Sequence, residues 1–599
     1  MKMMRKLALL CAGCLAFTAM TAGLPMNLIP PIDAKAFDNI YLWDKNETVE
    51  YWIVGGVARV SSCNENAEGQ IEILSEIYGV PVVHISGYAF HECTHITSIK
   101  IPDSITSIGW HAFSYCTALT SITIPDGVTD IPTSAFENCT SLLNITIPES
   151  VTEIGWHAFS YCTALTSITI PDGVTEISPF AFESCTSLLN ITIPESVTEI
   201  GESAFSGCRG LTSVVIPGND TRIGKNAFSG CNGVISLEIG AGAAQYQDIY
   251  NDLPLSSPKL ESVTVSPDNP EYSSADGVLF NKDKTTIIRY PMSKKDESTY
   301  ILPDSVTKIG MCAFSGCESL TSVTIPDSAT EIGGSAFSEC TNLAGIIIPD
   351  SVTVFGGGAF SKTPWLETRQ KSNPLVVVNG VLIDGSTCKG DVIIPENVRI
   401  GASAFYECTG LTSVSIPDNV TEIGAAAFYR CTDLTSINIP NGISEISAFT
   451  FWGCLELASI VIPEGVTSIG DSAFSRCRKL TGITIPESVT TIHKNAFDPL
   501  FSRVTIRGYS GSYAEAFAQS HNIKFESLVD APEPQVKYGD VNDDGSVDLK
   551  DVTELRRALA DWDVTINEKA ADVNRDGSLD LKDLVILRRY LAGGWGIEL

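Results

Sequence analysis

The sequence predicts a repeat solenoid of short parallel β-strands with single helical turns, followed by a small all-α module near its C-terminus. Three observations carry that prediction. A 23-residue unit, clear at Leu119–Thr140 (LTSITIPDGVTDIPTSAFENCT) and its continuation, recurs along most of the chain. Its Ala-Phe-x-x-Cys signature places cysteines at Cys93, Cys116, Cys139, Cys162, Cys185, Cys208 and Cys231, and again at Cys317, Cys340, Cys408, Cys431, Cys454 and Cys477. Such a period is the mark of stacked coils, each burying its one apolar face on the next. The third observation is a pair of acidic, glycine-centred loops, Gly539–Asp551 and Ala571–Asp583, each leading into an amphipathic helix.

Within a unit, Leu119, Ile122 and Ile124 point one way and Ser121 and Thr123 the other, a period-2 strand rich in β-branched residues. Pro125 ends the strand, having no N–H for the ladder. Val128 and Ile131 form a second short apolar pair, and Ala135, Phe136 and Cys139 have the spacing of one inward helical turn. The segments Ile108–Thr129 and Ile154–Thr175 are identical, as are Cys139–Gly155 and Cys185–Gly201. A two-coil block was duplicated, and so close a copy implies selection for shape.

Composition bounds the function. The chain has 599 residues, 39 Lys plus Arg against 71 Asp plus Glu, and a net charge of −32. That field repels phosphate backbones and argues against a nucleic-acid partner. Residues 1–36 read as an export signal: Lys2, Arg5 and Lys6 precede the apolar run Leu7–Met20, which is too short for a membrane span. Cleavage fits after Ala22 or Ala36, and Cys14 lacks the Leu that a lipoprotein signal wants three residues earlier. The expected location is therefore secreted and extracellular, with no membrane span. Of 18 cysteines, 13 share one repeat position, which suits buried thiols better than a disulfide framework. Cys63, Cys312 and Cys388 stand outside that register.

The expected order is an irregular, apolar N-terminal cap over 37–81, a solenoid over 82–526, a proline-stiffened linker over 527–538 and the acidic module over 539–594. Two insertions, near 241–299 and 362–390, break the repeat. Their runs Ser274–Pro291 (turn at Asn281–Asp283) and Val376–Gly385 predict strands projecting from the solenoid. Tyr513–Ser520 predicts a short helix and Ile523–Phe525 a last strand.

The pattern LxxIxIPxxVTxIGxxAFxxC, as in Leu165–Cys185, resembles the BspA-like class of leucine-rich repeats of bacterial secreted and surface proteins. That resemblance implies a leucine-rich-repeat fold and a role in adhesion or protein binding, with no shared catalytic site.

The acidic loops carry the specific chemistry. Oxygen ligands at positions 1, 3, 5, 9 and 12, with Gly at 6, describe an EF-hand-type Ca²⁺ loop. They are Asp540, Asn542, Asp544, Asp548 and Asp551 in the first loop and Asp572, Asn574, Asp576, Asp580 and Asp583 in the second. The carbonyls of Ser546 and Ser578 fall at position 7, so the pattern predicts two calcium ions. Asp at position 12 and the missing helix before each loop depart from an ordinary EF-hand. The paired DxNxDGxxDxxDxxxLRRxL pattern instead resembles type I dockerins, the EF-hand-like modules that plug secreted proteins into cellulosome scaffoldins. Leu555, Leu559, Leu587 and Leu591 are expected to pack inward. The resemblance implies a cohesin module as partner. It places the contacts at Leu549, Lys550, Arg556 and Arg557 and, in the second copy, at Leu581, Lys582, Arg588 and Arg589. Their identity implies two binding orientations.

Other signals are weaker. His91-Glu92-Cys93-Thr94-His95 is a literal HExxH, but it lies across the short Phe90-x-x-Cys93 turn, where no long helix holds both imidazoles on one face. Trp110-His111 and Trp156-His157 suit stacking on a sugar or anchoring a partner, and one duplication explains both. Thr123, Thr146, Thr169 and Thr192 form a polar row that β-propensity alone accounts for. The sequence thus predicts a secreted, non-catalytic binding protein whose repeat surface takes an unknown protein or glycan ligand. The alternatives are an accessory or enzymatic component of polysaccharide degradation and a protease-binding repeat. No paired-carboxylate cleft, nucleophile elbow or triad supports an enzyme.

Overall fold

The structure, a computed structural model, describes residues 39–218, 220–242, 245–246, 249–295, 298–497, 503–528, 537–560 and 564–592. The export segment predicted over 1–36 and most of the 527–538 linker lie outside them.

Each coil is three-sided. In one, the front strand is Ser121–Thr123, the lateral strand is Asp130–Ile131, and the run Pro132–Cys139 closes the third side as a ridge of turns. Front strands pair in parallel at a 23-residue offset (Ile145 on Ile122, Ile191 on Ile168), and so do lateral strands (Ile154 on Ile131, Ile200 on Ile177). The alternation read from the sequence is obeyed: Ile122 is buried, while Ser121 and Thr123 are exposed.

The ridge is not helical. Ser134 and Asn138 sit at φ 55° and 58°, and the ridge residues just before Ala and just before Cys repeat this left-handed geometry from coil to coil. Backbone N–H groups alternate in direction. Ser134, Phe136 and Asn138 donate across to Trp156, Ala158 and Ser160 of the next coil at 2.7–2.8 Å. Ala135, Glu137 and Cys139 donate back three residues within their own coil at 3.1–3.3 Å. The single inward helical turn expected from the Ala-Phe-x-x-Cys spacing is thus a chain of tight turns. It uses the same inward side chains but spends every second N–H on coil stacking.

The interior is a column of identical groups. Phe90, Phe113, Phe136, Phe159, Phe182, Phe205 and Phe228 stack with centroids 5.1–5.4 Å apart and ring planes within 17°. Beside them each ladder thiol from Cys116 onward donates to a carbonyl one coil back, as Cys162 does to Phe136 at 3.1 Å. The described cysteines are all free thiols, and the ladder members are buried. The core divides into three clusters, spanning Val49–Ile288, Val278–Val381 and Leu382–Ile523.

Both interruptions are built into the wall rather than projecting from it. Tyr272–Ala275 and Val278–Asn281 form a hairpin through Asp276-Gly277, and Thr286–Arg289 continues it into the lateral sheet beside Lys308–Ile309. Val278 and Phe280 are fully buried. The turn read at Asn281–Asp283 joins Val278–Asn281 to Thr286–Arg289, and a second, two-residue turn at Asp276-Gly277, both at positive φ, joins the strand before it. The second insertion repeats the device: Val376–Val378 and Val381–Asp384 turn through Asn379-Gly380, and the latter strand pairs with Arg399–Ile400. It also carries a helix, Pro364–Ser372, started by Thr363 as N-cap with Pro364 at the first position. Trp365 pins that helix to the Ile346 carbonyl at 3.1 Å.

The N-terminal segment that reads as irregular is a regular meander. Ile40–Trp43, Val49–Val54 and Val57–Cys63 pair antiparallel, and the last hands over in parallel to Val80–Ile85. At the other end the helix Tyr513–Ser520 and the strand Lys524–Ser527 cover the last coil, the strand pairing with Thr505–Gly508. No described helix is long and apolar enough to cross a membrane.

Candidate functional site

The C-terminal module has its own small core. Leu555 and Leu587 are fully buried with Val541, Ala571 and Val573, and Leu559 packs against them. Leu591 is only half-buried and lies outside this core. Val541 and Val573, at position 2 of each loop, are core residues that the ligand pattern overlooks, because apolar residues inside an acidic loop carry no periodicity. The helices Leu549–Ala558 and Leu581–Leu591 each begin with a capping box. Asp548 and Asp580 cap the helix starts, while Asp551 and Asp583 reach back to the cap N–H at 2.7 and 2.9 Å. A single turn, Glu568–Ala571, precedes the second loop.

The ten predicted ligand side chains gather in two loops with matching internal bonds. Asp540 accepts from the N–H groups of Asp544 and Gly545 at 3.1 and 3.0 Å, and Asp572 accepts from Asp576 and Gly577 at 3.2 and 2.9 Å. Asn542 and Asn574 accept from the residues two further on at 3.0 and 2.8 Å. Asp551 and Asp583 are fully buried, and each also accepts from the loop start, from Asn542 at 3.2 Å and from Asn574 at 3.1 Å. Gly545 and Gly577, at φ 86° and 80°, make the sharp turn that position 6 requires.

Among the described residues no three Asp, Glu, His or Cys groups converge as a preformed metal cluster. In each loop a lysine stands among the acids instead. Lys550 reaches Asp544 at 3.1 Å and Asp548 at 3.8 Å, and Lys582 reaches Asp576 at 3.4 Å and Asp580 at 3.0 Å. The Lys550 ammonium holds the Asp544 carboxyl below its ordinary range. For Asp580 the Lys582 backbone N–H contributes most and its ammonium adds to it. Four aspartates, one asparagine and a main-chain carbonyl per loop form an all-oxygen, anionic donor set, which suits a hard cation.

The eight predicted contact residues are all exposed. Leu549 and Leu581 stand out, 73% and 69% accessible at the starts of the two helices. Two links across the module were not legible in the sequence. Arg575 lies 4.1 Å over the Tyr538 ring, and Asn567 donates to Asp543 at 2.8 Å.

On the solenoid, His91, Glu92 and His95 do not form a metalloprotease helix. Glu92 has φ 59°, His91 bonds Ser114 at 2.7 Å, and His95 bonds its neighbour Thr94. Trp110 and Trp156 are about half exposed on the ridge, with Tyr88, Tyr115 and Tyr161 also exposed there. Tyr406, Tyr429 and Trp452 form a second ridge ladder, stacked at 4.8 and 4.5 Å within 4°. Those rings cover one another's faces and present edges.

A wall of 23-residue coils and a paired-loop module define a leucine-rich-repeat protein with a dockerin. The chain belongs to the family described as BspA type leucine-rich repeat region (6 copies), whose model matches residues 77–188, 156–274, 285–381 and 384–524. The dockerin type I domain model matches residues 538–592. Among solved structures, a leucine-rich cell surface protein of Faecalibacterium prausnitzii is 28% identical, over 82% of this chain and 99% of that one, with a TM-score of 0.35. A leucine-rich repeat protein of Bacteroides ovatus is 25% identical, over 80% and 98%, with a TM-score of 0.35. One of Treponema pallidum (T. pallidum) is 27% identical, over 35% and 86%, with a TM-score of 0.26. No curated protein matches the chain.

Proposed function

We propose that this is an exported, non-catalytic binding protein, docked through Ca²⁺-dependent recognition of its dockerin by a cohesin of a cellulosome scaffoldin. The observation that carries the reading is the doubling of the loop. Two copies share ligand types, capping boxes and an exposed Leu-Lys start, 32 residues apart at Asp540 and Asp572. Two Ca²⁺ ions would be held by Asp540, Asn542, Asp544, Asp548, Asp551 and the Ser546 carbonyl, and by Asp572, Asn574, Asp576, Asp580, Asp583 and the Ser578 carbonyl. Bound calcium supplies charge neutralisation and folding free energy to a module whose own core is small. Calcium would take over the carboxylate oxygens that Lys550 and Lys582 now reach, which frees both lysines to join Leu549, Leu581, Arg556, Arg557, Arg588 and Arg589 at the cohesin surface. The solenoid presents its ridge and front face to a protein or glycan ligand.

Pull-down of the full chain by a cohesin is expected in Ca²⁺ and lost with a chelator or in Asp551→Ala/Asp583→Ala. Retention through both would overturn the docking. Binding of the full chain to a glycan and protein array, compared with Trp110→Ala/Trp156→Ala, reads the solenoid ligand. Turnover of any polysaccharide would overturn the non-catalytic role.

A further inference from the structure

Exposed rings recur on the ridge of the first array at every second coil. Trp110 and Trp156 are 55% and 54% accessible, and Tyr115 and Tyr161, further along the same two coils, are 40% and 42% accessible. Each indole is followed by an imidazole held by a ring stack, His111 on Tyr88 at 4.9 Å and 5°, His157 on Phe180 at 4.8 Å and 8°. Tyr88 also meets Trp110 edge-on at 4.6 Å. The coil between the indoles carries only Thr133 and Ser134 at the matching ridge positions.

Duplication of a two-coil block does not by itself account for this repeat. Ile108–Thr129 and Ile154–Thr175, which carry the rings, are identical. Their companion coils have drifted on the ridge, where Pro132-Thr133-Ser134 stands against Ser178-Pro179-Phe180. The ring-bearing ridge kept its chemistry while its neighbour changed.

The surroundings point to the chemistry of the ligand. The rings stand among carboxylates and hydroxyls, with Glu137 at 3.8 Å from His111 and Glu183 at 4.0 Å from His157. A protein partner is met by a continuous patch whose core is depleted of charge. Rings set apart among acids and hydroxyls match sugars instead, whose C–H faces stack on the rings while their hydroxyls donate to the acids. The net charge of −32 disfavours an acidic glycan. Two coils cover about 10 Å, and an extended β-1,4-linked chain turns the same sugar face outward at every second residue, over a comparable length.

We propose that Trp110 and Trp156 are paired stacking platforms for a neutral, extended β-1,4-linked glycan lying along the ridge. The inference rests on the reading of the solenoid as a ligand-binding surface and narrows it to one face and one class of ligand. The ladder of Tyr406, Tyr429 and Trp452 takes no part, since its rings cover one another and Arg476 lies 4.9 Å over Trp452.

The test is affinity electrophoresis of the full chain in gels containing hydroxyethyl cellulose, glucomannan, amylose or polygalacturonate. Retardation is expected in a neutral β-1,4-linked polymer, and not in amylose, which coils, or in polygalacturonate, which is acidic. Trp110→Ala and Trp156→Ala should each weaken it about tenfold, as loss of one aromatic anchor does. Tyr429→Ala should leave it unchanged, and all three variants should keep the wild-type far-UV spectrum. Affinity for the matching oligosaccharides should rise about tenfold from the disaccharide to the tetrasaccharide, as the second indole comes within reach. Retardation that survives Trp110→Ala/Trp156→Ala would overturn the ridge site while leaving the solenoid a glycan binder. Stronger retardation in amylose or polygalacturonate, no retardation in either β-1,4-linked polymer, or a protein ligand released by that double variant would overturn the glycan. Cohesin docking is read separately by pull-down and stands or falls without it.

Discussion

A buried thiol is a proton store. Desolvation pushes Cys139 up to about 12 and Cys340 up to about 11, from an ordinary thiol value of 9.0. Between the unfolded and folded values the native chain holds a proton that the unfolded chain has lost. Stability is therefore intact below pH 9 and falls as pH rises through that window, by about 1.4 kcal/mol per unit for each such thiol. The twelve rungs from Cys116 onward, all pushed up by burial, lose it together. Thermal melts are expected to hold level to about pH 9 and then drop steeply, and replacing rungs by Ala should flatten the drop. A wild-type curve that stays flat to pH 11 would contradict this. At the same scale the sequence was informative about which residues face inward, because period-2 alternation and the repeated Ala-Phe-x-x-Cys report burial directly. It was silent on the left-handed ridge residues. Ser134, Asn138 and their counterparts vary freely in type, since their positive φ is imposed by coil stacking and not by local preference.

Coils and hairpins test glycine in two different ways. A Cβ at Gly201 would stand 2.4 Å from the Pro179 nitrogen of the preceding coil. At Gly380 a Cβ meets nothing within 4 Å, but the residue sits at φ 75° in the Asn379-Gly380 turn. Gly380→Ala should therefore cost about 1 kcal/mol of backbone strain. Gly201→Ala should cost about 2 kcal/mol or more, because two backbones must separate. Denaturant titration of both variants checks the order, and an equal cost would show that coil spacing is softer than the contact suggests. The hairpins also show where element-level reading stops. Asp276-Gly277 and Asn379-Gly380 are strong turn signals, yet neither sequence says that the returning strand will join the lateral sheet. That pairing is set by the neighbouring coil. In the C-terminal module the reverse holds. The ligand spacing and both caps lie within a dozen residues, so the loops were legible almost whole, and only the long-range links through Asn567 and Arg575 were not.

At the scale of the whole molecule, stability is a sum of coils and of the interfaces between neighbours. Phe159 touches only Phe136 and Phe182 in the ring column, at 5.4 and 5.3 Å. Phe159→Ala should remove about 3–5 kcal/mol locally. Amide exchange should accelerate in the coils around residues 136–205 and stay unchanged near 428–474, in a separate core cluster. Uniform acceleration would mean that the coils melt as one unit.

The division of the interior into three clusters has a mechanical consequence. In the proposed assembly the chain is anchored by its last module and grips its ligand upstream, so it is a tether in line with the load. Tension runs across the joints near 278–288 and 376–385, where one cluster gives way to the next and the wall is bridged by short hairpin strands. If those joints are softer links between stiffer rods, pulling the full chain by its two ends should give its first extension step there; a first step within a ring-stacked coil would contradict this.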